Sequence, residues 1–169
     1  MTTPQVLGFT GAYFLALCAV VYVARASGRR VAGALAGGAV VGLVMLGAIV
    51  LGEARRWWHV PFAPTPYFLP LFYVGASVSC APIYVVSWRV ARRFGGRGLA
   101  TWFAAVTLIG PPRDYLYAAK FPEWMVFGPG IAPILADAAT YLAIAALGHA
   151  VMRLVAGPSR GDALRSRGR

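Results

Sequence analysis

Five carboxylates make up the whole acidic complement of this 169-residue chain: Glu53, Asp114, Glu123, Asp137 and Asp162. Asp162 stands in a C-terminal stretch rich in Gly, Ser and Arg and reads as solvated. The other four are flanked by aromatic and basic residues. Asp137 is the most telling. It follows Gly130, where an apolar run begins, by seven residues, or ~10 Å along a helix axis. An ionisable group at that depth in a bilayer costs at least ~2.5–3.5 kcal/mol, so it must face a partner or a polar cavity. Arg113 and Asp114 precede the end of the previous apolar run, at Ala119, by a comparable ~9 Å. The short connection between the two runs makes them neighbours. The spacing therefore predicts an Arg113–Asp137 ion pair with Asp114 beside it. Two acids in unlike surroundings form a general acid and a general base. The arginine would orient one of them or stabilise developing negative charge.

Further polar and aromatic groups stand at similar depth. Tyr141 is one turn from Asp137, and Tyr115 and Tyr117 flank Asp114. Glu53 closes another apolar run and is followed by Arg55, Arg56, Trp58 and His59, while Tyr67, Glu123 and Trp124 lie on the same outer side. The expected catalytic set is Asp137, Asp114, Arg113 and Glu53. The expected substrate-contacting set is Tyr115, Tyr117, Tyr141, Trp124, Trp58, His59, Tyr67 and Glu123, whose ring faces can also stabilise a cation. Gly110-Pro111-Pro112, Pro129 and Pro133 lie beside the charges. Proline cannot continue the helical ladder, and in lipid such a break is tolerated only where it is buried in protein or lines a cavity. A pocket opening outward is the expectation. The competing reading makes the Arg–Asp pair a staple between helices and the tryptophans headgroup anchors.

No metal and no cofactor is expected. Cys18 and Cys80 have no CxxC partner, and no HExxH, P-loop or GxSxG occurs. His59 and His149 belong to opposite sides, which disfavours a bis-histidine haem. The lone Lys120 falls in an outer loop, away from any retinal-type Schiff base, and Ser77 and Ser79 lack a histidine at their depth.

The elements that must position these groups follow from composition. The chain is 59% hydrophobic and 12% charged, whereas soluble domains carry about 25% charged residues. That composition excludes an ordinary soluble enzyme, a disordered tail and a disulfide scaffold. Five apolar segments, Leu7 to Ala24, Val31 to Gly52, Tyr67 to Trp88, Leu99 to Ala119 and Gly130 to Val155, each approach the ~20 residues a membrane-crossing helix needs. The fold expected is an all-α bundle of five transmembrane helices over 1–156, with a basic tail over 157–169.

Charge sets its orientation. Arg25, Arg29, Arg30, Arg89, Arg92, Arg93, Arg97, Arg153 and the tail arginines fall on one side, against Arg55, Arg56, Arg113 and Lys120 on the other. The positive-inside rule puts the first group in the cytoplasm and the N-terminus outside, in what is expected to be a bacterial inner membrane. No basic residue precedes the first run, so it reads as a retained helix rather than a signal peptide. The formal net charge of +11 then serves topology and anionic lipid, not nucleic acid. The outer loops, Trp57 to Pro66 and Phe121 to Trp124, are rich in proline and aromatics and should be ordered turns. Gly33-x-x-x-Gly37 and Gly38-x-x-x-Gly42 allow close helix packing or a homodimer through the second helix.

The function expected is metal-free acid–base chemistry on a lipophilic small molecule: cyclisation, isomerisation, hydration or dehydration of a terpenoid, polyketide or lipid. The alternative is a non-enzymatic accessory subunit or small transporter whose buried charges are structural. In plan alone, with no shared motif, the chain is similar to small membrane cyclases and isomerases that set a few acids and aromatics in a short helical bundle.

Overall fold

The computed structural model describes residues 2–61 and 66–158. Residues 62–65 and the tail beyond 158, with Asp162 and the last four arginines, lie outside the described residues. The order is α1 (Thr3–Ala24), α2 (Gly28–Ala54), β1 (Trp58–His59), α3 (Phe68–Lys120), β2 (Val126–Phe127) and α4 (Ala132–Ala156). Among the described residues the regular structure is helical apart from one short ribbon, and all four of these helices are long and apolar enough to cross a membrane.

Local chemistry sets the ends. Thr2 opens α1 with a capping box in which its N–H donates to Gln5 Oε1 at 2.7 Å. Arg25 closes α1 in the left-handed region at φ 53°. Ser27 Oγ then accepts the Arg30 N–H at 3.3 Å and starts α2. Pro133 falls in the first turn of α4, where its missing N–H costs nothing.

The long α3 is not straight. Extended, its 53 residues would reach ~80 Å, far beyond a ~30 Å hydrocarbon core. Gly95, at φ 66° and ψ −154°, is its one non-helical residue. There the chain turns back: Gly98 packs directly on Phe94 and Val90, so a side chain at 98 would strike both. Residues 90 and 98 would stand ~12 Å apart on an unbroken helix. The two arms, 68–94 and 96–120, lie side by side, and Cys80 and Asp114 face one cavity. The sequence places a basic loop at 89–98, but the helix runs on through Arg89, Arg92 and Arg93 and the reversal takes a single glycine. Pro111 and Pro112 also differ from expectation. Backbone angles stay helical through both, so the prolines withdraw donors without breaking the helix.

The core lies where α2 and α4 meet the first arm of α3. Ala34, Val41, Ala81, Tyr84, Val85, Trp88, Ala145 and Met152 are fully buried there. Close approach is made possible by glycine. Gly33 faces Met152 and Ala156, Gly37 faces the Gly148 carbonyl, and Gly38 and Gly42 face Ser77. These four glycines therefore make close contacts inside the chain itself. Tyr84 Oη donates to the Ile144 carbonyl at 3.2 Å across the same contact. α1 is the outlying helix and packs chiefly on α3. Outward-facing Leu15, Tyr22, Val23, Leu108, Leu116 and Leu154 are more than two-thirds exposed, as lipid-facing side chains should be.

The two ends of the bundle differ. At one, Arg30 is fully buried: it donates to the Gly157 carbonyl at 2.9 Å and to the Pro158 carbonyl at 3.1 Å, over the Trp88 ring at 5.2 Å. It thus ties the start of α2 to the end of α4, where a cation also meets the negative end of the helix dipole. At the other end the two proline- and aromatic-rich loops pair with each other. Trp58 stands opposite Phe127 and His59 opposite Val126 in an antiparallel ribbon, extended by Gly128 N–H to the Trp57 carbonyl at 2.8 Å.

Candidate functional site

Beneath that ribbon is a cavity of about 360 Å³, walled by α1, α2, both arms of α3 and α4. Its surface is overwhelmingly apolar. Phe9, Tyr13, Phe72, Tyr117 and Trp124 supply ring surface, and Met45, Ile49, Ile83 and Ile144 supply aliphatic surface. The ribbon roofs it with Trp58, whose ring lies against Gly52 with no space for a side chain there. Trp124 closes the outer rim. It is stacked on Phe121 at 5.3 Å and Tyr117 at 6.4 Å and meets Phe9 edge-on at 5.7 Å.

Tyr13, Ser79, Tyr117 and Thr140 bring hydroxyls to the wall, and four further groups carry the site: Arg113, Asp114, Asp137 and Tyr141. Three of them satisfy one another. Arg113 donates from Nε at 3.0 Å and from its terminal nitrogen at 2.7 Å to Asp114 Oδ1. Tyr141 Oη donates to Asp114 Oδ2 at 2.7 Å and accepts a very short bond from Arg113. The guanidinium also lies over the Tyr141 ring at 5.5 Å. Gly110 makes this triad possible, because the Tyr141 ring occupies the space its side chain would fill. A closed arginine–aspartate–tyrosine link therefore joins the second arm of α3 to α4.

Asp137 stands apart from that link. It is 7% exposed, and its Oδ2 has no hydrogen-bond partner. The expected Arg113–Asp137 ion pair is thus replaced by Arg113–Asp114. The guanidinium does reach α4, but it meets Tyr141 there, and Tyr141 and Arg113 share the Asp114 carboxylate, which leaves Asp137 outside the link. Buried polar atoms are nearly always paired, so an unpartnered oxygen on a cavity wall calls for an explanation.

Of the other expected site residues, Tyr117, Trp124, Trp58 and Tyr141 line the cavity. Glu53 and His59 do not. Glu53 accepts from His59 Nδ1 at 2.9 Å and from the Val60 N–H at 2.8 Å, on the outer surface. They share a shallow surface groove with Arg56 and Gly128. In this position Glu53 orders the loop that leads out of β1. Tyr115 stacks on Phe127 at 3.9 Å, outside the cavity wall. Tyr67 is 77% exposed, and Glu123 is exposed in the turn before β2.

Sequence reasoning passed over Phe9, Tyr13, Met45, Phe72 and Thr140 as cavity residues. Their only signal is apolar or small character, shared with every lipid-facing residue. It also passed over Ser87, whose Oγ meets His149 Nδ1 at 2.7 Å in the core. Ser77 and Ser79 bond back to their own helix carbonyls at 2.7 Å and 2.9 Å, as serines in apolar helices do. Among the described residues no three His, Cys, Asp or Glu side chains gather into a metal site.

The chain was compared with protein-family models, curated proteins and solved structures, and none matches it. The fold and the site are therefore argued from their own geometry.

Proposed function

We propose that this chain is an integral membrane enzyme that carries out acid–base chemistry on a lipophilic small molecule, with Asp137 exchanging the proton. The observation that carries this reading is Asp137, a carboxyl on the lining of an aromatic cavity whose Oδ2 is buried without a partner, beside a link whose own polar groups are already satisfied. A carboxyl so placed donates to a bound molecule when protonated and accepts from it when ionised, without first breaking a bond inside the protein. A ligand seated under the roof and the aromatic rim would displace water from Asp137, which strengthens the interaction made there. Tyr141 and Arg113 hold Asp114 in place and present a second, fixed polar face to the ligand. Cyclisation, isomerisation, hydration and dehydration all need a proton delivered at one atom and removed at another, and the reading covers that class.

The membrane arrangement that goes with it has five spans, counting the two arms of α3 separately. The N-terminus and the ribbon face outside and the arginine-rich end faces the cytoplasm, as in a bacterial inner membrane. Support comes from the reversal at Gly95 and from the segregation of arginines to the end where Arg30 closes α4.

The test is mass spectrometry of small molecules that co-purify with the protein, and their turnover, in wild type and Asp137→Asn. A folded variant that no longer retains or converts the wild-type ligand supports the reading. Unchanged ligand and turnover in Asp137→Asn overturns it.

A further inference from the structure

The charge pattern of the cavity restricts what it can hold. Three groups on its wall can carry charge as carboxylate or guanidinium, Arg113, Asp114 and Asp137, and the first two are spent on each other. The Arg113 positive charge is met by Asp114 at 2.7 Å, so the pair presents no net charge to a ligand. The charged group that remains is the carboxyl of Asp137, more than nine-tenths buried, with an Oδ2 that has no hydrogen-bond partner. The same cavity wall carries the rings of Phe9, Tyr13, Phe72, Tyr117, Trp124 and Tyr141. Ring faces attract cations through their quadrupole, most strongly where water is excluded, and a carboxylate attracts them through its charge. The same unbalanced carboxylate disfavours an anion, and a neutral molecule gains no charge attraction from it.

From this we infer that the cavity selects a lipophilic monocation: an apolar body carrying one amine or quaternary ammonium group, seated with its positive centre between Asp137 and the aromatic wall. The cavity volume of about 360 Å³ falls at the small end for ligand pockets. It suits one compact hydrophobic molecule rather than a two-chain lipid. For an amine the charge balance closes without any outside proton. A neutral amine and a protonated carboxyl share one hydrogen and become an ammonium–carboxylate pair. The inference rests on the cavity being the ligand site, as proposed above. It extends that reading by naming positive charge as the feature recognised, in a bound ligand or in a cation formed during reaction.

The experiment uses the full chain in nanodiscs of zwitterionic lipid, with Trp58 and Trp124 in the cavity wall as intrinsic fluorophores. Three probes of matched shape are titrated: phenylbutyltrimethylammonium, its neutral all-carbon isostere and phenylpentanoate. The cation should bind at least about tenfold more tightly than the isostere, a factor equivalent to about 1.4 kcal/mol. The anion should bind least. In Asp137→Asn the cation and the isostere should converge while the isostere keeps its wild-type affinity, and Asp137→Glu should keep a preference for the cation. Equal binding of cation and isostere by wild type overturns cation selection and leaves the acid–base reading standing. A preference that survives in Asp137→Asn assigns it to the rings and overturns the role of the carboxyl. If none of the three probes binds, the cavity is not a ligand site and both readings fall.

Discussion

The two aspartates on the cavity wall should respond to substitution with opposite signs. In the empty protein Asp137 bears a buried oxygen with no partner. Leaving such a group unsatisfied costs about 1–3 kcal/mol. Asp137→Leu removes that cost, and the adjoining cavity gives the larger side chain room to adjust. The substitution should therefore stabilise the fold by about 1–3 kcal/mol. At roughly 2–4 °C per kcal/mol for a chain of this size, the melting temperature should rise by several degrees. Asp114→Leu does the reverse. It strips acceptors from three hydrogen bonds and leaves Arg113 and Tyr141 without their carboxylate. Charge-assisted bonds are worth more than neutral ones, but the Arg113 side chain is 44% exposed and solvent recovers part of the loss. A destabilisation of about 2 kcal/mol is the net expectation. The assay is thermal unfolding followed by tryptophan fluorescence in nanodiscs, after ligand has been washed out. A loss of stability in Asp137→Leu as large as that in Asp114→Leu would show that Asp137 holds a structural bond, and the case for it as the reactive group would fail.

Three further substitutions test other parts of the argument. Gly110→Ala puts a methyl group into the Tyr141 ring, so it should cost about 1–3 kcal/mol of stability. It should also change near-ultraviolet circular dichroism as that ring moves; wild-type stability would refute the packing of Tyr141 on α3. Arg30→Lys keeps the charge but cannot give the same forked pair of bonds to Gly157 and Pro158. It should lower stability by about 1–2 kcal/mol and speed hydrogen exchange at the end of α4, and unchanged exchange there would refute the clamp. For topology, cysteines placed at Glu123 and at Arg92, in a background with Cys18 replaced by alanine, should react with impermeant maleimides from opposite sides of sealed vesicles. Labelling of both from one side would refute five spans.

What could be read from the sequence, and what could not, divides along one physical line. Apolar runs and basic ends depend only on residue type, so the helices were visible, with ends shifted by a few residues. The reversal at Gly95 was visible as a loop but not as a one-residue turn. Gly95-Gly96 in a basic stretch looks like any flexible linker until a positive φ is seen. The cavity was legible through its charges and not through its walls. Asp137, Asp114, Arg113 and Tyr141 stand out because polar groups in lipid are rare, while Phe9, Tyr13 and Phe72 differ in no way from their lipid-facing neighbours. Arg30 was misleading for the opposite reason. It belongs to a run of arginines that fits the positive-inside rule, and nothing in its neighbours shows that it is the one turned inward onto α4.

The pairing of Arg113 illustrates why depth alone was an insufficient guide. Matching depths on neighbouring helices made Asp137 a candidate partner, but so did adjacency in the chain for Asp114, and a bond within one helix turn has less conformational freedom to lose. Once Tyr141 bridges the same carboxylate, the three groups close on themselves. Asp137 is then left with the cost of burial and without a partner. A protein that only needed a staple could place leucine there and gain stability. Retaining an unsatisfied acid on the wall of an aromatic cavity is a stability cost of the kind that active sites carry, and its compensation would come from the molecule that enters.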